Sequence, residues 1–127
     1  MLKVKEIIKL LDCEVFTPEN LDEEKTIRYA FSADLMSDTL FILNRMNDSD
    51  LLDETILITG LATNQAIKSA EIIDIGVVLM VRGKTPAQTV IDQAIEAGIV
   101  LLSTKHTMFN SNGLLYEKNV RGLTKHD

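Results

Sequence analysis

The chain of 127 residues is poor in several residue types, and each shortage excludes something. A single cysteine, Cys13, can form no internal disulfide. No tryptophan and 5% aromatics leave no stacking platform for single-stranded nucleic acid. Basic residues are outnumbered, 13 against 19 acidic ones, giving a net charge of −6, and they are scattered rather than clustered. A phosphate-backbone surface needs the opposite pattern, so no nucleic-acid partner is expected. No apolar run approaches the ~18–20 residues of a membrane span, and residues 77–81 amount to one strand, so no membrane partner is expected either. The opening Met1-Leu2-Lys3-Val4-Lys5-Glu6 alternates charged and apolar residues, unlike a secretory signal. With the lone thiol, this leads to the expectation of a cytoplasmic protein. There is no Pro/Gly/Ser-rich linker, so residues 1–127 are expected to form one domain, with a flexible tail over about 119–127.

What is present is ordinary globular material, 46% hydrophobic and 25% charged, enough for a core without metal or disulfide. Val4, Ile7, Ile8 and Leu11 fall at helical period and predict an amphipathic helix over 3–11. Residues 13–16 and 26–31 read as strands, with an acidic turn over 19–24 between them. Asp34 or Ser37 caps a predicted helix running to about 45, whose buried face is Leu40, Phe41, Leu43 and Asn44; 47–50 is an acidic loop. Three apolar runs then start at 55, 77 and 99, a constant spacing of 22, with helical patterns over about 64–72 and 86–97 between them. Thr85, Pro86 and Gln88 predict a capping box for the second helix, and Gly98 its stop. Around 109–116 the reading is looser: Ser111-Asn112-Gly113 is taken as a turn or helix end. Uniformly apolar strands joined by short helices pair in parallel. The fold class is therefore α/β, a single layered domain with a mainly parallel sheet built from βαβ units.

Ligands of such sheets sit beyond the carboxyl ends of the strands. Thr59, Gly60, Arg82, Gly83, Lys84, Ser103, Thr104 and Lys105 collect at that edge. Lys84 and Lys105 suit a phosphate, with the backbone N–H groups of Gly60 and Gly83 to orient it. The same segments also satisfy ordinary turn and capping rules. Gly83-Lys84-Thr85 is not a P-loop, because Val78 stands where the first glycine belongs. Ser103 with His106 lacks a nucleophile elbow and an orienting acid. Neither catalysis, a metal nor a cofactor is expected.

The order Val4-Lys5-Glu6-Ile7-Ile8, Ala33-Asp34-Leu35-Met36-Ser37-Asp38, Gly83-Lys84-Thr85-Pro86 and Leu101-Leu102-Ser103-Thr104-Lys105, followed by Phe109, Gly113 and Leu115-Tyr116, resembles the DRTGG domain family over about residues 2–118. The glycine pair of the family's eponymous motif has no counterpart in Glu24-Lys25-Thr26-Ile27-Arg28-Tyr29-Ala30. That family occurs alone and as a regulatory insert in CBS-containing pyrophosphatases and in phosphotransacetylases, and is similar in fold to the HPr kinase N-terminal domain. The resemblance implies a dimeric, non-catalytic, ligand-sensing domain, and adds Asp34 and Ser37 to the candidate contacts. The expected function is a regulatory domain that self-associates as a homodimer and senses an adenine nucleotide or other phosphorylated metabolite. The alternative is a purely structural dimerisation or adaptor module, its interface on the 77–81 region or around 114–116, with a protein partner of unknown identity.

Overall fold

Residues 55–59, 77–80 and 100–103 are buried along their whole length, as strands covered on both faces must be. The computed structural model describes residues 1–38 and 49–123. In chain order the elements are β1 (Leu2–Lys3), α1 (Val4–Leu11), β2 (Glu14–Val15), β3 (Thr26–Ile27), β4 (Tyr29–Ser32), α2 (Ser49–Asp53), β5 (Thr55–Thr59), α3 (Asn64–Ile72), β6 (Val77–Met80), α4 (Gln88–Glu96), β7 (Val100–Ser103), α5 (Met108–Glu117) and β8 (Arg121–Gly122). Six strands form one sheet in the order β2-β7-β6-β5-β4-β8, all parallel except β2, which runs antiparallel to β7; β1 and β3 form a separate antiparallel pair.

Because side chains alternate along a strand, each central strand feeds two cores. Ile56, Ile58, Val77, Leu79, Val100 and Leu102 meet α1 and α5 through Ile7, Leu11 and Leu115. Leu57, Val78, Met80 and Leu101 meet α3 and α4 through Ile67, Ala70, Val90 and Ala94. Travel from β5 to β7 keeps its connecting helices on this second face. The return from β7 to β8 runs back across the sheet, and α5 lies on the other face. A fixed right-handed crossover demands that change of face when the direction reverses.

The helix at Asn64–Ile72 lies where its pattern puts it, capped by Thr63, whose Oγ1 accepts from Ala66 N–H at 3.2 Å. Gly98 takes φ +73° and ends α4 as expected. Several expectations need correction. The run over 26–31 is two strands, broken at Arg28, where both Arg28 and Tyr29 N–H donate to the Glu54 carbonyl and the chain changes partners. The capping box at Thr85 does not form: α4 starts at Gln88 with no side-chain cap, Pro86 is buried, and the Gln88 amide donates instead to Asp92. Ser111-Asn112-Gly113 is the middle of a helix, not its end; α5 is capped by Thr107 Oγ1 and turns Ser111 and Leu115 inward. Within the stretch assigned to a tail, Val120 is buried and residues 121–122 form strand β8, because the Arg121 and Leu123 amides donate to carbonyls of Arg28 and Ala30. The 77–81 region cannot be an interface, being the centre of the sheet and at most 1% exposed. Residues 36–38 are helical. The remainder of the helix predicted to 45, the acidic loop up to residue 48, and 124–127 lie outside the described residues.

Candidate functional site at the carboxyl edge

The loop leaving β6 runs to α4 on one face of the sheet, and the loop leaving β7 runs to α5 on the other. Their divergence is the topological switch point of the sheet, where ligands of open α/β folds are held. Arg82, Gly83 and Lys84 stand on one side of it, and Ser103, Thr104, Lys105 and His106 on the other.

Arg82 and Gly83 are both left-handed, at φ +63° and +67°. For Arg82 this is an unusual conformation for a residue with a Cβ. It is held by two backbone bonds across the switch point, Arg82 N–H to the His106 carbonyl at 2.9 Å and Gly83 N–H to the Thr104 carbonyl at 2.8 Å. Beside them, Gly60 is a position of close approach. A Cβ there would run into the Arg82 guanidinium and lie 3.0 Å from Asp34 Oδ1. Gly60 N–H donates to that carboxylate at 2.6 Å. Asp34 therefore ties the end of β4 to the end of β5, and Ser37, among the helical residues 36–38, lies exposed.

The structure divides the ten candidates into two groups. Thr59, Ser103 and Thr104 are buried and their hydroxyls are engaged: Thr59 Oγ1 accepts from Leu61 N–H, Ser103 Oγ donates to the Lys84 carbonyl at 2.7 Å, and Thr104 Oγ1 donates to the Leu11 carbonyl at 2.6 Å. The Gly60 and Gly83 amides, expected to orient a phosphate, are likewise spent on Asp34 and Thr104. These five build the edge. Asp34, Ser37, Arg82, Lys84 and Lys105 are exposed at it. Among the described residues no carboxylate lies within ion-pair distance of Arg82, Lys84 or Lys105. By contrast, Lys3 and Lys5 share Glu24 at 2.6 and 2.7 Å, and hydrogen bonds from Lys3 and then Lys5 hold its carboxyl down to about 2.

The Ser103 hydroxyl is committed to the Lys84 carbonyl, and this geometry gives a serine–histidine pair no support. Burial, with Asp12 adding, pushes the Cys13 thiol up to about 12, so it offers no thiolate near neutrality. Among the described residues no three histidine, cysteine or carboxylate groups gather as metal ligands, and no helix is long and apolar enough to cross a membrane. A cavity of about 330 Å³ lies elsewhere, against β4, β8 and α5, lined by Ser32, Asn112, Tyr116 and Arg121. Sequence reasoning missed α5 because Ser-Asn-Gly has the composition of a turn; the readable signal was Thr107, a sound N-cap three residues before Asn110.

No protein-family model and no curated protein matches the chain. Among solved structures it is similar to the CBS and DRTGG domains of the regulatory region of Clostridium perfringens pyrophosphatase, complexed with the activator diadenosine tetraphosphate. The TM-score is 0.64 at 16% identity, over 98% of this chain and 51% of that one. The shared fold is DRTGG-like. The chain spans about half the length of that neighbour, which is a regulatory region and not a catalytic domain.

Proposed function

We propose that this chain is a non-catalytic regulatory domain that self-associates and senses an adenine nucleotide or another phosphorylated metabolite. The observation that carries the reading is the set of three exposed cations, Arg82, Lys84 and Lys105, at the switch point of the sheet with no carboxylate paired to them among the described residues. In an acidic protein, cations left unpaired together at a sheet's ligand edge suit an anionic ligand. The neighbour of like fold, a regulatory region complexed with an adenine nucleotide activator, supports the regulatory part of the reading and the choice of nucleotide class. The phosphate contacts in this proposal are side chains, since the Gly60 and Gly83 amides have other acceptors.

The test is a thermal-shift panel with AMP, ADP, ATP, dinucleoside polyphosphates, acetyl phosphate and plain phosphate. A ligand at ~100 times its Kd adds about 2.7 kcal/mol of stability. That raises Tm by roughly 3–6 °C in a domain of this size. Lys84→Ala and Lys105→Ala abolish the shift while leaving the unliganded Tm unchanged, both side chains being exposed. Affinity that survives Arg82→Ala and Lys84→Ala rejects this placement. Silence across the panel supports the second reading, a structural dimerisation module. That reading is favoured by the internal engagement of the Thr59, Ser103 and Thr104 hydroxyls.

A further inference from the structure

One outer stripe of α5, with the residue leading into it, is self-complementary about its own midpoint. His106, Phe109, Asn110, Gly113, Leu114 and Glu117 line a single open groove of about 550 Å³, and no other described residue contributes to it. Phe109 is 83% exposed, the most exposed large apolar side chain among the described residues. Gly113, one turn further on, is equally unexplained by its own chain. It sits inside a helix, where glycine weakens the backbone, and a Cβ added there meets nothing within 4 Å. A glycine at that place leaves the helix backbone open to close approach from outside the chain.

The spacing says what fits. Residues equidistant from the midpoint between Ser111 and Asn112 complement each other: Phe109 and Leu114 are both apolar, His106 can donate to Glu117, and Gly113 has no side chain to crowd Asn110. Two antiparallel helices related by a two-fold axis bring such residues face to face. We infer that the α5 stripe is a homotypic interface, in which a second copy of this chain packs antiparallel across it. Phe109 of each copy then covers Leu114 of the other. Gly113 lets the backbones approach beside Asn110. The His106 imidazole at each end meets the Glu117 carboxylate of the second copy as donor to acceptor. An apolar centre closed by polar ends is the usual anatomy of a protein interface. The inference rests on the self-association in the proposed function and gives it a surface on the helix layer whose element α5 leaves the switch-point loop.

Sedimentation velocity over a dilution series tests it, on the full chain and on variants whose thermal unfolding shows them folded. The wild type sediments as a dimer. Phe109→Asp, at an exposed position, raises the dimer dissociation constant by about thirtyfold or more, as loss of an interface anchor does. Ile72→Asp, at another exposed apolar position but on α3 across the sheet, leaves it unchanged. His106→Glu sets carboxylate against carboxylate twice and weakens the dimer about tenfold. Adding Glu117→Lys to it restores the affinity to within about threefold of wild type. A dimer indifferent to Phe109→Asp, or a double variant no tighter than His106→Glu alone, overturns the interface while leaving the regulatory reading intact. A monomeric wild type overturns self-association in both.

Discussion

The middle of the sheet and its margins are built by different means. In β5, β6 and β7 every residue is buried, each strand carries an unbroken apolar stretch of three or four residues, and each connects to the next through one short helix. At the margins, β2 and β8 have two residues each, are at least partly exposed, and are held by bonds from far along the chain. Thr17 shows the second method. Its buried hydroxyl donates to the Ile99 carbonyl at 3.0 Å and accepts from Leu101 N–H at 2.9 Å, a reach of over 80 residues along the chain to β7. Thr104 does the same toward Leu11. The centre is stabilised by non-directional burial, and the margins by a few directional bonds that fix where a short strand lies.

Substitutions in the centre and at the margins should differ in cost. Leu79→Ala removes a wholly buried side chain from the central strand and is expected to cost about 2–5 kcal/mol in urea unfolding. Thr17→Val keeps the shape but leaves Leu101 N–H without an acceptor. The Ile99 carbonyl keeps the Asn20 amide at 3.0 Å. A loss of about 1–3 kcal/mol is expected by the same measurement. A margin variant costing more than the central one breaks the contrast. The smallest effect is at the surface, where Glu24 joins Lys3 and Lys5. Its carboxyl is held below the usual range, to about 2, so its contribution is present above the unfolded value near 4.5 and is lost as pH falls through 2. Glu24→Gln should therefore lower Tm slightly at neutral pH, and the gap to wild type should close between pH 5 and 2. Added salt should narrow it as well, since these groups are exposed.

The same contrast explains what could be read from the residues alone. The central strands, the helix at Asn64–Ile72 and the left-handed stop at Gly98 follow from local pattern, and each lies within a residue or two of its expected place. The margins do not. That 26–31 splits at Arg28 depends on the Glu54 carbonyl, and that 121–122 joins the sheet depends on β4; neither is adjacent in sequence. At the carboxyl edge the residue types were legible from strand position, but the division of labour was not. Thr59, Ser103 and Thr104 look like ligand contacts in sequence because hydroxyls that close a fold and hydroxyls that bind a ligand are the same groups. Only their partners tell them apart.

The pairing of β2 with β7 has a consequence in time. Glu14 faces Ser103 and Val15 faces Leu102, so on the ribosome β2 emerges nearly ninety residues ahead of the strand that will bind it. At the ordinary pace of synthesis of about 5–20 residues per second, that is a wait of roughly 4–18 s. Throughout it, Val15 and the Thr17 hydroxyl have nothing to pair with. A long apolar strand left in that condition would invite association with other nascent chains. Two residues, one of them a glutamate, give such association little to hold, and the brevity of β2 serves a nascent chain that must wait for its partner to be made.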